Sequence, residues 1–442
     1  MTVAPSASST SAASEVADHT RHHIAARLLP FLFLLYITNY LDRTSVAYAA
    51  LGMSRDLGFS DRVIGLAAGV FFISYLALQI PGALLVERWS ARRLISALMI
   101  AWGSLTVLTG LVHTPSQLYI ARFLLGAAEA GFFPGVVVYL SHWFIHEDRA
   151  KATSNFMAAI PLSFVIGSPL AGWILGHRWL GVEGWRWLFF LEGLPAILLG
   201  VVALFYLTDW PSQAAWLAPH QRRWIEEKLE EEKPVNIRSL TVWQAMHSPT
   251  ILLLASVALL DYFAGYCVYF WLPTLLKRLL GLSDARVGLL GAVPYGGAFV
   301  AMLINGWHSD RRGERRWHAA VPQFTAAAAL LGLMSLAGST PPAKLTVVLL
   351  TLACMILAFL PVFWAIPTEI LSESAAAAGV GMINAIGSFA GFAGPYAFGY
   401  LNTRTGSFSY GLALMTVSAF AGGVLILRAP RTRQRFAEAL GS

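Results

Sequence analysis

Stretches of about twenty residues with almost no formal charge recur along this chain, and they constrain its fold more than any motif does. Leu94 to Val112 and Leu345 to Thr368 carry no charge, and Leu188 to Leu207 is nearly free of it. At about 1.5 Å per residue such a run crosses a hydrocarbon layer of about 30 Å as a helix, whereas a barrel strand needs only about half that length. With 57% of residues hydrophobic and 12% charged, too few polar side chains are present to cover a soluble core. The chain reads as an all-α membrane protein.

Hydropathy divides it into twelve transmembrane helices in two sets of six, over residues 24–208 and 248–428. The Ser/Ala/Thr-rich residues 1–23 lack the basic start and immediate apolar core of a secretory signal and are expected to be a disordered cytoplasmic tail. Residues 209–247, with "EEKLEEEKP", form the expected cytoplasmic linker, and 429–442 a second cytoplasmic tail. If both termini are cytoplasmic, that side holds 20 of the 31 Lys and Arg, the opposite side 9, and Arg43 and Arg122 lie inside spans. Positive charge on the inside favours this orientation. The net charge of +7 therefore reports topology, and no nucleic-acid partner is expected, because the basic residues punctuate apolar runs instead of lining one soluble face.

The halves repeat. "GALLVERWSARRL" from Gly82 and "GWHSDRRGERRWH" from Gly306 share a glycine, an acid and paired arginines. "GSPLAGW" around Pro169 matches "GPYAFGY" around Pro395 at nearly the same offset. Two unrelated markers at one offset indicate a duplication, hence two pseudo-symmetric six-helix bundles about an axis along the membrane normal, with a cavity between them.

Charges sunk in spans are the candidate functional groups, because each costs about 2.5–3.5 kcal/mol to insert. In "ITNYLDRTSVAYAA", Asp42 and Arg43 lie near mid-bilayer. In "ARFLLGAAEAGFFPG", Arg122 and Glu129 are seven residues apart and share a helix face. Neighbouring helical residues diverge by about 100°, and seven residues is too long for a direct ion pair, so partners must come from other helices or from a ligand. A carboxylate alternately wet and dry can take and release protons, and an arginine in a wet cavity binds a carboxylate through its planar fork. The second half has no charge at the matching positions, which assigns coupling and anion capture to the first half and shape and aromatic contacts to the second. Asp261 is also deep, with a helix-bonding role equally open to it. Tyr75, Tyr295 and Trp364 stand beside Gly or Pro within spans, where packing is the plainer role, and Asn384 suits helix–helix bonding as well as ligand contact. "VERWSARR" and "GERRWH" read as gating loops. Nucleophile elbows, phosphate loops and paired metal-ligating histidines are lacking, and Cys267 and Cys354 sit in apolar runs. No enzyme, metal or cofactor is expected, so a gradient must drive any transport.

From about residue 25 onward the chain resembles the major facilitator superfamily, in its anion:cation symporter branch, and there the tartrate/phthalate/hydroxyphenylacetate-like organic-acid permeases. The motifs that carry the resemblance include "NYLDR" (39–43), "QIPGALLVERWSARR" (79–93), "RFLLGAAEAGFFPG" (122–135), "EGWRWLFFLEGLPA" (183–196), "HSDRRGERRWH" (308–318) and "NAIGSFAGFAGPYAFGY" (384–400). The resemblance implies proton-coupled uptake of an organic anion by alternating access. Asp42 and Glu129 look like its protonatable carboxylates, Arg43 and Arg122 like the groups stabilising those carboxylates or the anion, and Tyr75, Trp364 and Asn384 like substrate contacts; Tyr295 joins them as a substrate-site candidate. Glu87 stands where the superfamily usually has aspartate. Ser256 to Leu260 is nearly apolar where sugar-acid relatives carry a glutamine, which favours smaller or aromatic carboxylates over polyhydroxylated ones.

The expectation is therefore a monomeric, multi-pass inner-membrane symporter of protons and an organic anion. An exchanger or uniporter, or a transporter-like sensor of organic acids, is the alternative.

Overall fold

The computed structural model describes residues 7–232, 247–336, 342–370 and 373–430, with the side chains of 7–14, 80, 82–84, 86–88, 146, 150, 368–369 and 373–378 outside the description. Glu87 and most of the tail 429–442 therefore lie outside what is described. Helix is nearly the only regular structure, as expected where lipid offers the backbone no hydrogen bonds. The first half comprises α1 (Ala7–Asp56), α2 (Asp61–Arg88), α3 (Ala91–Thr109), α4 (Pro115–Glu129), α5 (Phe132–Ser141), α6 (His146–Met157), α7 (Ala159–Leu175) and α8 (Gly184–Tyr206). After α9 (Pro219–Glu231) in the linker come α10 (Pro249–Leu280), α11 (Asp284–Arg312), α12 (Arg316–Ser335), α13 (Ala343–Cys354), α14 (Phe359–Ile370), α15 (Glu373–Thr405) and α16 (Ser409–Ile426).

Local sequence sets the ends. The Ser60, Ser90 and Ser248 side chains accept the N–H three residues on, and Thr114 with Gln117 completes a reciprocal cap ahead of Pro115. Each of the twelve expected spans coincides with one helix or with a broken run, the breaks falling after Glu129, at Ala158 and at Met355–Ala358. Among the described residues, 10 helices are long and apolar enough to cross a membrane. Leu198, Phe205, Leu289 and Val417 are exposed while Asp42, Arg122 and Glu129 are buried, the inverted pattern of a protein whose outer solvent is lipid.

The expected disordered tail is a correction for its inner part. Helix α1 begins at Ala7, and Arg21 grips Asp148 through two bonds of 2.6 Å while Thr20 is buried. The polar composition that suggested disorder is satisfied instead by partners on α6 and by Gln221 of α9, whose amide meets His19 at 2.7 Å.

The halves meet along two seams, α7 against α11 and α2 against α15, with α1 touching α10. At the first seam the backbones nearly touch: a Cβ on Gly288 would lie 2.3 Å from the Cα of Gly172, so only glycine fits. Hydrogen bonds between the halves gather at the end of the bundle away from the termini. There Arg278 holds Asp61 at 2.6 and 2.7 Å, Arg55 holds Asp284 at 3.0 Å, and the Arg62 N–H donates to Thr403 at 2.9 Å. Arg55 and Arg278, Asp61 and Asp284, and the serine caps Ser60 and Ser283 are each 223 positions apart, so the two ion pairs are copies of one contact produced by the duplication.

Candidate functional site

The four buried charges of the first half come together where α1, α2 and α4 meet. Arg43 Nε donates to Glu129 Oε2 at 2.8 Å, and Asn39 Nδ2 donates to the same oxygen at 2.9 Å. Glu129 Oε1 has no partner. Asp42 also reaches α3, where Thr106 Oγ1 lies 2.8 Å from Oδ1, while Oδ2 has no hydrogen-bond partner among the described residues. The Asp42 and Glu129 carboxyls are within reach of a mutual hydrogen bond once either carries a proton.

Arg122 differs from the other three. It is 3% exposed and has no hydrogen-bond or ion-pair partner among the described residues. Its guanidinium sits 4.6 Å from the centroid of the Phe71 ring, with Arg43 5.6 Å from the same ring. The close approach of α2 and α4 makes this possible: a Cβ on Gly126 would fall 2.1 Å from the Phe71 carbonyl, and Ser74 Oγ donates to the Phe123 carbonyl at 2.6 Å. Arg43 also lies 5.1 Å from the Tyr40 ring and 4.8 Å from that of Tyr75, and keeps 15% of its side chain exposed. A buried cation resting only on aromatic faces leaves its planar donor edge available to an anion.

Tyr75 thus joins the charged cluster. Trp364 on α14 is half-buried and donates from Nε1 to the Tyr262 hydroxyl at 3.1 Å. Tyr262 packs edge-on to Tyr266, which meets Phe72 of the first half at 4.7 Å between ring centres. Aromatic contacts therefore lead from Trp364 across the interface to α2. Asn384 is half-buried and its side chain makes no hydrogen bond among the described residues. Tyr295 stands apart from the charges: it is 2% exposed, its hydroxyl donates to the Tyr269 carbonyl at 2.9 Å, and its ring stacks on Phe164. Asp261 is buried with Oδ1 unpartnered, on α10 next to Tyr262.

Three residues of the site were not foreseen. Asn39 and Thr106 are small polar groups whose role depends on which helix they face. Glu192 on α8 is 5% exposed, and neither carboxylate oxygen has a hydrogen-bond partner among the described residues. The signal for it was present as the one acid in the run Leu188 to Leu207.

The termini-side loop after α11 holds a more ordinary polar network. Glu314 accepts the Trp317 and His318 N–H groups at 2.8 and 3.2 Å and meets His318 Nδ1 at 2.7 Å. Its burial opposes ionisation, but those donors outweigh it and hold the carboxyl below its usual range.

Paired helical bundles with interior charges, a lipid-facing apolar exterior and a seam that seals one end define a multi-pass membrane transporter. The family model of the Major Facilitator Superfamily matches residues 32–395 and 254–441, and the chain belongs to that family. It is 40% identical over 426 residues to a protein of Agrobacterium vitis provisionally named a tartrate transporter, covering 94% of this chain and 97% of that one. It is 36% identical over 413 residues to the inner membrane transport protein RhmT of Escherichia coli K12, covering 92% and 94%, and 33% identical over 419 residues to a quinolone resistance transporter of Acinetobacter baumannii, covering 93% and 95%. Among solved structures, a D-xylose-proton symporter is similar with a TM-score of 0.74 at 14% identity, covering 93% of this chain and 99% of that one. At that identity the likeness concerns the fold.

Proposed function

We propose that this protein imports a small organic anion, a hydroxy- or dicarboxylate such as tartrate or an aromatic carboxylate, together with protons across a bacterial inner membrane, with both termini in the cytoplasm. The observation that carries the reading is Arg122, a buried guanidinium near Asp42 and Glu129 that makes no hydrogen bond or ion pair with either among the described residues. Burying an unpaired charge is costly, and a bound carboxylate forming two parallel hydrogen bonds to the guanidinium removes that cost. Arg43 is the second cation, held by Glu129; protonation of Glu129 frees it for the substrate, which ties anion binding to proton binding. Tyr75, Trp364 and Asn384 shape the remaining wall, while Tyr295 supports the packing behind it.

In this state the end away from the termini is latched by the two Arg–Asp pairs. Alternation is then a rocking of one bundle against the other, in which those pairs break and the glycine seam opens. The provisional tartrate function of the Agrobacterium relative supports the substrate class.

The test is uptake of labelled tartrate, with a panel of hydroxy, dicarboxylic and aromatic acids, into proteoliposomes with and without a pH gradient. Accumulation that vanishes when the gradient is collapsed identifies a symporter. Counterflow that survives, with no accumulation under any gradient, refutes proton coupling and identifies an exchanger, and saturable binding without flux identifies a sensor.

A further inference from the structure

Glu192 is the one buried carboxylate of the first half that the reading above leaves without a task. It lies where α8 packs on α3 and α1. The residue after it, Gly193, lets α8 approach α3 so closely that an added Cβ there would stand 2.6 Å from the Gly103 carbonyl. The neighbouring helices offer few titratable groups: α1 carries Asp42, which is bonded to Thr106 of α3, and α7 has no titratable side chain. The charged residues of α3 and α8 themselves, Arg92, Arg93 and Arg186, sit at the helix ends.

A glutamate that glued helices would hydrogen-bond to a neighbour, yet among the described residues neither oxygen of Glu192 does and no cation pairs with it. Asp42 Oδ2 is likewise unpartnered. For packing alone an apolar residue would serve without the cost of a polar group. Thr106 adds a second observation. Its single hydroxyl hydrogen has two acceptors in reach, Asp42 Oδ1 at 2.8 Å and the Trp102 carbonyl at 2.9 Å. Pointed at Asp42 it serves the carboxylate; turned to Trp102 it presents a lone pair to the protonated acid. Asp42 can therefore gain or lose a proton without losing this contact.

We propose that Glu192 is a third proton-binding carboxylate of the transport cycle, after Asp42 and Glu129, placed where α8 packs on α1. This rests on the symport reading above. Each acid gains one proton from water and returns it as such; only O–H bonds form and break. The consequence is one coupled proton more per anion than Asp42 and Glu129 supply.

Two measurements test it. Infrared difference spectra of the purified protein across a pH titration read protonated carboxyl groups without any substrate. Glu192→Gln should remove one carboxylic C=O band, and Asp42→Asn, with Glu192 intact, should shift it. In proteoliposomes at fixed membrane potential, Glu192→Gln and Glu192→Leu should lower the proton-to-tartrate ratio by one, which cuts maximal accumulation about tenfold per pH unit of gradient, with Glu192→Asp restoring the ratio. Unchanged bands in Glu192→Gln, or a wild-type ratio in Glu192→Leu, overturns the proposal. If the Glu192 variants fail to fold, the band shift in Asp42→Asn decides. If wild-type protein takes up no tartrate, the symport reading fails while the infrared bands still decide whether Glu192 binds a proton.

Discussion

Neutralising the two latch arginines, Arg55→Gln with Arg278→Gln, should release the sealed end of the bundle. Asp61 and Asp284 are about as buried as core residues, with side chains 8% and 6% exposed, but their partners Arg278 and Arg55 are 44% and 56% exposed. Solvent screening on the arginine side keeps each pair within the range of surface ion pairs, about 0.2–1 kcal/mol, with the bidentate Arg278–Asp61 pair at the upper end. Taking about 1 kcal/mol for that pair and about 0.5 for the other, the double variant loses about 1.5 kcal/mol of preference for the sealed state, a shift of about tenfold in the conformational equilibrium. Substituting the arginines and not the aspartates leaves the acidic first turns of α2 and α11 intact, so helix stability is not the variable. The probe is Thr274→Cys, which lines the 280 Å³ cavity beneath the latch and is itself buried. Cys267 and Cys354 are buried and can stay. Alkylation by a membrane-impermeant maleimide should run about tenfold faster in the double variant. An unchanged alkylation rate would refute the latch.

Asp42→Asn or Glu129→Gln should abolish gradient-driven accumulation of tartrate while sparing some exchange; full accumulation by both variants counts against their role in coupling. Arg122→Gln removes charge-assisted hydrogen bonds worth about 1.5–3 kcal/mol, so tartrate binding followed by calorimetry should weaken about 10- to 150-fold. Gly288→Val places atoms inside the α7 backbone and should prevent sealing of the end away from the termini, seen as alkylation of Thr274→Cys faster than in the latch variant. Glu314→Ala should cost about 1 kcal/mol in thermal stability by uncapping α12. Because the folded state holds this carboxyl below its ordinary value, its contribution is complete above about pH 4.3 and fades as pH falls through the lower folded value, so the difference between wild type and Glu314→Ala should shrink only in that acid range.

The helices and their duplication could be read from the residues because lipid imposes a one-dimensional rule: a spanning segment must be apolar for its whole length, whatever its neighbours. The same rule made Asp42, Arg43, Arg122 and Glu129 conspicuous, since nothing but a buried or wetted site justifies their cost. Their geometry was another matter. Arg43 finds Glu129 on a helix 86 positions away, and Arg122 rests its guanidinium against the Phe71 ring of α2. The Ser/Ala/Thr-rich start looked disordered because composition cannot reveal that Asp148 and Gln221 stand opposite it.

Sequence alone determined that the chain spans a membrane, that its halves descend from one unit, and that ionisable groups interrupt the apolar runs of the first of them. Which face each group turns to was decided only by how the helices pack. Tyr295 shows this from one side, a tyrosine beside Gly and Pro that closes a hydrogen bond within the packing, and Glu192 from the other, a lone acid in an apolar run whose neighbour is Asp42. Rotation about a helix axis costs nothing in a linear pattern of this kind, and it is fixed by ridges, glycine contacts and partner charges that no single segment contains.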